Sequence, residues 1–263
     1  ANVWIAVGAA GNVTRSTDNG ATWAAVTSGK GASDTIQAVT CDRNATFIAS
    51  FVNGSNGLYG VIRSTNKGVS WTSVTIANSS GASNKLIVTD RKGVWLYSEF
   101  SGFYKSTDLG ATWVSVGSLP SGVGRFATDC AGVWVATTST SGSLIYRSTD
   151  NGTTWNSSGT TSPLVSSAIA TDERGTWIAG GASTLVFRST NNGYTWTAVL
   201  ISGLTGGPLG IAFGKDGVAI AAGAAGAVRR SFPTYGYDTA TQFKLPDQPA
   251  AIGLAAYIKA KDA

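Results

Sequence analysis

Side chains able to perform acid–base or nucleophilic chemistry are few in this chain. It contains no His, which excludes His-based general acid–base catalysis, Ser–His triads and His-containing zinc sites within it. Its only glutamates are Glu99 and Glu173. A glycosidase needs two carboxyl groups roughly 5–10 Å apart, and Asp34 with Glu99 is the one pairing that the sequence suggests. Because nothing else supports that pair, we expect a protein without enzymatic activity.

Other carboxylates recur at one position of a repeated nine-residue segment. The copies read RSTDNGATW (15–23), RSTNKGVSW (63–71), KSTDLGATW (105–113), RSTDNGTTW (147–155) and RSTNNGYTW (188–196). A catalytic or metal-binding carboxylate would break the symmetry of a repeat rather than recur in it. We therefore predict that the Asp or Asn side chain accepts backbone N–H groups inside a turn, beside a Gly that tolerates positive φ. The residues predicted to act in this way are Asp18, Asn66, Asp108, Asp150 and Asn191, and the sequence predicts neither a metal nor a cofactor.

Each copy ends in a tryptophan, whose large apolar surface we expect to pack between neighbouring sheets. These residues are Trp23, Trp71, Trp113, Trp155 and Trp196. Each copy begins with a cation, and the cations recur every 41 to 48 residues, with a sixth, degenerate copy starting at Arg230.

The repeat also fixes the elements that position these residues. One period contains four strand-like pieces, as at 125–129, 133–138, 143–149 and 154–158, and a period of about 40–50 residues with short strands is typical of a propeller blade. We predict an all-β, six-bladed β-propeller with four-stranded antiparallel blades. The first repeat lacks its first strand and the sixth lacks its fourth. Either the terminal blades are incomplete or the chain is a piece of a longer polypeptide.

The charge distribution, the apolar runs and the two cysteines indicate which kinds of partner and site to exclude. The net charge is +5, but the 19 Lys and Arg residues are spread along the chain without a basic run, so we expect no nucleic-acid partner. No apolar run approaches the ~20 residues that a membrane helix requires, so we expect no membrane insertion. Cys41 and Cys130 fit neither a disulfide framework nor a metal site, and we interpret them as free thiols.

The repeated segment resembles the Asp-box, or bacterial neuraminidase (BNR), repeat Ser/Thr-x-Asp-x-Gly-x-Thr-Trp. Three copies match fully and two carry Asn in place of Asp, over about residues 1–231. The resemblance implies an Asp-box β-propeller and raises a sialidase-like glycoside hydrolase as one function. That family uses three arginines for the substrate carboxylate, a Tyr–Glu nucleophile pair and an Asp acid/base. Five of the ten arginines begin a box, counting the degenerate copy, and the Arg-Ile-Pro signature is absent, so this function is the least favoured.

The turns of a four-stranded blade alternate between two faces. The Asp boxes and the turns between first and second strands lie on one face, which we call the box face. The links between blades and the hairpins between second and third strands lie on the opposite face, which we call the link face. Because propeller ligands usually bind at loops of the link face, we place the candidate site there. Amide and aromatic side chains on this face suit a carbohydrate or a protein, and the candidates are Asn53, Asn56, Tyr59, Glu99, Phe100 and Phe103.

Residues 232–263 differ in composition, with no Asp box and half of the prolines of the chain. We predict an extended segment followed by a short helix, IGLAAYIKA. The sequence YDTATQFKLPD followed by GLAAYIKA resembles the C-terminal ends of bacteriophage tail-fibre and tail-collar proteins. That resemblance implies a virion protein of the phage tail, made in the host cytoplasm, which contacts other tail proteins and assembles as a homotrimer.

Three functions follow from these patterns. The first is a tail-fibre or receptor-binding propeller that contacts a host cell-surface glycan or protein. The second is an assembly or scaffolding propeller similar to the photosystem II assembly factors, which share such boxes. The third is the glycoside hydrolase, which the shortage of carboxylates disfavours.

Overall fold

The computed structural model describes residues 2–57, 59–76, 86–99, 102–116, 123–138, 144–161, 166–181, 184–201, 204, 207–214, 216–223 and 227–230. Every regular element in these ranges is a β-strand. The predicted region 232–263, with its extended segment and helix, lies outside them. Among the described residues, no helix is long and apolar enough to cross a membrane, and no group of His, Cys, Asp and Glu side chains could hold a metal ion.

The described strands form six antiparallel sheets, in each of which sequence neighbours are hydrogen-bonded. Sheet 1 contains β1 (Trp4–Val7), β2 (Val13–Ser16) and β3 (Ala24–Val26), and sheet 2 contains β4 (Thr35–Cys41), β5 (Phe47–Val52), β6 (Tyr59–Ser64) and β7 (Thr72–Thr75). Sheet 3 contains β8 (Leu86–Thr89), β9 (Trp95–Ser98), β10 (Phe103–Ser106) and β11 (Val114–Ser115). Sheet 4 contains β12 (Val123–Thr128), β13 (Trp134–Thr138), β14 (Leu144–Ser148) and β15 (Asn156–Thr161). Sheet 5 contains β16 (Ser166–Thr171), β17 (Trp177–Gly181), β18 (Leu185–Ser189) and β19 (Thr197–Leu200), and sheet 6 contains β20 (Pro208–Phe213), β21 (Ala219–Gly223) and β22 (Val228–Arg230).

The six sheets confirm the predicted number of blades and the predicted number of strands in each blade. Four of them have four strands, while sheets 1 and 6 have three. The described chain divides into two compact units. Unit 1 comprises Ala1–Val123, Cys130–Trp134 and Ser148–Trp155, and unit 2 comprises Gly124–Asp129, Val135–Arg147 and Asn156–Ala263.

An aspartate organises the short first-to-second turns of sheets 2, 3 and 5. In sheet 3, Asp90 Oδ1 accepts the backbone N–H groups of Lys92 at 2.8 Å and Val94 at 2.9 Å. Gly93 closes the turn with φ at 113°, a conformation that favours glycine. The same arrangement recurs around Asp172, which places Glu173 on an exposed turn of the box face.

In unit 1, apolar core clusters lie between consecutive sheets. On β5, Ile48 faces a cluster shared with Trp95 and Tyr97 of sheet 3, whereas Ala49 and Phe51 face a cluster shared with sheet 1. This alternation is the period of two that a strand with both faces buried requires. Cys41 and Cys130 form no disulfide within the described residues, and both are partly buried.

Candidate binding face and the Asp-box scaffold

Each Asp box is a closed network of hydrogen bonds. In the first box, Ser16 Oγ donates to Asp18 Oδ1 at 2.7 Å and accepts the N–H of Gly20 at 2.9 Å. The N–H of Thr22 donates to Asp18 Oδ1 at 2.9 Å, and its hydroxyl donates to Oδ2. Trp23 Nε1 donates to Gly20 O at 3.0 Å. Since both carboxylate oxygens are occupied by donors, this aspartate is suited to holding a turn rather than to catalysis or metal binding.

In the two boxes with Asn, the amide makes the contacts that the carboxylate makes in the others, although Trp71 Nε1 has no hydrogen-bond partner among the described residues. Asn66 Oδ1 accepts from Ser64 Oγ at 2.8 Å and from the N–H of Ser70 at 3.0 Å, and Asn66 Nδ2 donates to Ser70 Oγ at 2.8 Å. Asn191 does the same with Ser189 and Thr195. An amide therefore replaces the carboxylate without loss of a contact.

The carboxylates of the boxes are held in their charged form. At Asp18, the hydroxyl and the N–H of Thr22 lower the pKa from 3.8 to about 2. At Asp108 and Asp150, partial desolvation raises the pKa, but the hydrogen bonds from the following threonines and the preceding serines outweigh it and lower the pKa to about 2. A carboxylate whose pKa is lower in the folded than in the unfolded chain stabilises the fold above the unfolded pKa, and this stability is lost as the pH falls through the folded pKa.

We expect the triple variant Asp18→Asn, Asp108→Asn and Asp150→Asn to fold at pH 7, because Asn66 and Asn191 already serve in two boxes. Its free energy of unfolding should fall less steeply than that of the wild type between about pH 5 and pH 2. Urea unfolding at several pH values measures this. Parallel pH curves for the two proteins would show that the boxes do not carry the acid sensitivity.

The first residue of a box is bound to the next box along the chain. The described residues include four such hydrogen bonds, namely Arg15 Nε to Lys67 O (2.7 Å), Arg63 Nε to Leu109 O (2.5 Å), Lys105 Nζ to Thr153 Oγ1 (2.7 Å) and Arg147 Nε to Asn192 O (2.7 Å). These cations tie consecutive sheets together, so they are committed to the scaffold. Sequence analysis missed this role, although the constant cation at the first position was a signal for it.

The residue after the box Asp or Asn has a left-handed backbone in all five boxes, with φ between 57° and 61°. In sheet 5 this residue is Asn192, whose Oδ1 accepts from Trp177 Nε1 at 2.9 Å. In sheet 3 the equivalent residue is Leu109, and the equivalent Trp95 Nε1 is buried with no hydrogen-bond partner among the described residues. Leu109 thus adopts a backbone conformation that Asn tolerates better.

We expect Leu109→Asn to raise the free energy of unfolding by about 1 kcal/mol, because Asn tolerates the left-handed conformation. Lys67→Asn relieves the same backbone conformation in sheet 2 and should raise the free energy of unfolding by a similar amount. Urea unfolding measures both changes, and a loss of stability in either variant would contradict the prediction.

The box tryptophans differ in burial, which corrects the prediction that all five lie in the core. Trp155 is 6% exposed and packs edge-on against Phe103 of sheet 3, with ring centroids 5.5 Å apart. Trp71, Trp113 and Trp196 are half-buried. Trp23 is 45% exposed. Its sheet is the first of unit 1, so that unit contains no preceding sheet against which the ring could pack.

On the link face, Asp34 joins the link 27–34 to two hairpins. Its Oδ2 accepts the N–H of Gly31 at 2.9 Å and its Oδ1 accepts the N–H of Gly54 at 3.2 Å, while its carbonyl accepts the N–H of Gly11 at 2.8 Å. The side chain is 7% exposed. Both carboxylate oxygens of Asp34 therefore hold the backbone of the link face in place. This structural role accounts for the buried carboxylate, and no catalytic role is needed to explain it.

Three predicted binding residues lie at the hairpin between β5 and β6, which contains Gly54. Asn53 Oδ1 accepts the N–H groups of Ser55 at 2.9 Å and Asn56 at 3.3 Å, so it shapes its own turn. Asn56 is exposed, and Tyr59 is half-buried at the start of β6. Ser33 and Ser55, which the sequence analysis did not single out, are exposed with their hydroxyls 3.1 Å apart.

The candidates around sheet 3 are placed differently from the prediction. Phe103 is 4% exposed and belongs to the core, because β10 begins at this residue rather than after it. Glu99 is 2% exposed and accepts a hydrogen bond from the hydroxyl of Tyr104 at 3.2 Å. Burial, followed by the charge of Glu99, raises the pKa of Tyr104 to about 12. Phe103 and Glu99 are thus interior residues, and Phe100 lies outside the described residues.

No protein-family model matches the chain, and no curated protein matches it in sequence. Solved structures do match. The GH74 xyloglucanase from Xanthomonas campestris is 18% identical with a TM-score of 0.68, over 87% of this chain and 42% of that chain. YCF48 bound to D1 peptide is 18% identical with a TM-score of 0.64, over 86% and 74%. A Hadza microbial sialidase is 16% identical with a TM-score of 0.50, over 80% and 56%.

At these identities the likeness shows the fold alone. The chain is a β-propeller, and the six sheets of its described residues correspond to the predicted blades. It spans about two fifths of the length of the xyloglucanase.

Proposed function

We propose that this propeller is a non-enzymatic recognition module of a phage tail, which contacts a glycan or protein of the host cell surface through its link face. The observation that carries the recognition role is the contrast between the two faces. The Asp-box carboxylates and the leading cations are consumed in hydrogen bonds of the scaffold, whereas around sheet 2 the link face presents exposed Ser33, Ser55 and Asn56 on a backbone that Asp34 fixes. A fixed polar surface loses little entropy when it binds a partner.

The phage assignment is supported by the sequence YDTATQFKLPD and GLAAYIKA near the C-terminal end. A phage tail protein would be made in the host cytoplasm and then become part of the virion. We propose that it also contacts other tail proteins and assembles as a homotrimer. Nucleic acid and membrane insertion have no part in it.

The full chain tests the recognition role in an adsorption assay. Purified chain added to host cells before phage should bind the cells and reduce phage adsorption in a saturable manner. Gold-labelled antibody against the chain should mark the tail tips of purified virions. Labelled tails without binding would leave a structural role and refute recognition, and unlabelled virions would refute the phage assignment.

An assembly or scaffolding propeller is the second candidate, favoured by the fold that the chain shares with YCF48 bound to D1 peptide. A propeller of this kind would recognise a peptide segment of a partner during assembly. It would be recovered with an assembly intermediate and be absent from finished virions, which separates it from the first proposal.

A sialidase-like hydrolase has one observation in its favour, since Tyr104 and Glu99 are a Tyr–Glu pair in contact. However, both side chains are buried, and a phenol whose pKa is about 12 remains a protonated donor at neutral pH. We therefore expect no turnover of a fluorogenic sialoside by the full chain. Turnover that Glu99→Gln abolishes, with unchanged thermal stability, would restore the enzymatic function.

A further inference from the structure

Lys30 is a half-buried cation on the link 27–34. Its Nζ lies 3.5 Å from the centroid of the Phe51 ring, which is itself 8% exposed. Desolvation lowers the pKa of Lys30, and the charge of Asp34 opposes that change. Within the described residues, the ammonium makes neither a hydrogen bond nor an ion pair, and it lies over the face of the Phe51 ring within the field of the Asp34 carboxylate.

The backbone beneath this ammonium is fixed. Ser28 Oγ donates to Gly11 O at 2.6 Å and accepts the N–H of Lys30 at 3.1 Å, and Asp34 holds the neighbouring Gly31. A Cβ on Gly11, whose φ is +63°, would lie 2.8 Å from Lys30 Cβ, so the link is in close contact with the hairpin of sheet 1. The cation is therefore positioned before any ligand arrives, which reduces the entropy cost of binding.

The surroundings decide which anion suits this site. The exposed groups nearby on the link 27–34 and the hairpin 53–57 are the hydroxyls of Ser33 and Ser55 and the amide of Asn56. The large exposed apolar side chains of the described chain all lie outside these two segments. A peptide would lack the apolar anchors that dominate protein recognition, whereas hydroxyl and amide groups complement a saccharide.

We propose that Lys30 binds the carboxylate of an acidic saccharide, with Ser33, Ser55 and Asn56 contacting its hydroxyl groups. The proposal rests on the recognition function above and names its substrate class. A partly desolvated ammonium and a carboxylate form a charge-assisted hydrogen bond, which is about twice as strong as a neutral one.

NMR of the full chain with 13C-dimethylated lysines tests the site directly. The Lys30 signal, assigned with Lys30→Arg, should be shifted by the ring current of Phe51. Oligogalacturonate should move this signal saturably, while its carboxyl-reduced, neutral counterpart should not. When the lysines are not methylated, the Lys30→Gln variant should bind oligogalacturonate about tenfold or more weakly than the wild type. The Lys30→Arg variant should retain most of the affinity.

Each other outcome overturns the proposal. An unmoved Lys30 signal, or equal movement with the neutral oligosaccharide, excludes carboxylate recognition. Movement with a hexaglutamate peptide but not with oligogalacturonate shows that the partner is an acidic peptide. If Lys30→Gln binds host cells as well as the wild type does, the Lys30 site is refuted and the recognition function stands. If the Lys30 signal responds to oligogalacturonate but the chain does not bind host cells, the recognition function is refuted and the Lys30 site stands.

Discussion

Trp155→Ala should lower the free energy of unfolding by about 3–5 kcal/mol, the usual cost of removing a buried aromatic ring. Trp155 is 6% exposed and contacts Phe103 of the preceding sheet, so its loss leaves a cavity at a junction between sheets. The variant also loses the bond from Trp155 Nε1 to Gly152 O at 3.1 Å. Urea unfolding at pH 7 measures the change.

Trp23→Ala is the matched control. Trp23 occupies the same box position and makes the same bond, from Nε1 to Gly20 O at 3.0 Å, but its ring is 45% exposed. Its replacement should cost no more than about 1 kcal/mol, the contribution of one hydrogen bond. Similar losses in both variants would mean that the box geometry, rather than packing between sheets, is the source of stability.

Asp34→Ala should lower the free energy of unfolding by at least about 2 kcal/mol, because it leaves the N–H groups of Gly31 and Gly54 without their acceptors at a site that is 7% exposed. The loss should be accompanied by faster amide hydrogen exchange in the segments 27–34 and 53–57. Asp34→Asn keeps one oxygen acceptor and should lie between Asp34→Ala and the wild type.

The control for this prediction is Asp216→Ala. Asp216 is exposed and accepts one N–H, that of Val218 at 3.1 Å, so its replacement should have little effect. If Asp34→Ala were as mild as the control, the link face would not depend on this carboxylate for its order.

The repeat explains why much of the scaffold was predictable. Asp18 and Asn66 act on backbone groups within four residues, and local bonds of this kind leave a signature in every copy. The interaction of Arg15 with the carbonyl of Lys67 joins residues 52 apart, and a carbonyl has no sequence signature. The constant cation could therefore be seen, but its partner could not.

The site was less predictable because burial at loop ends depends on where a strand begins. Phe103 was expected on a hairpin, yet it is the first residue of β10 and contacts Trp155 from another repeat. Asp34 and Lys30 gave no pattern at all, since each occurs once and acquires its role from Gly54 and Phe51 on the neighbouring sheet. Unlike the boxes, a binding face is the part of a repeat protein that need not repeat.

We propose that this propeller recognises its partner through the link face and not through the box face. Hydrogen exchange of the full chain can be compared with and without host envelope that adsorbs the phage. We expect slower exchange in the segments 27–34 and 53–57 on binding, with the box segments 15–23 and 105–113 unchanged. Protection confined to the box segments, or none in the link segments under saturating envelope, would contradict it.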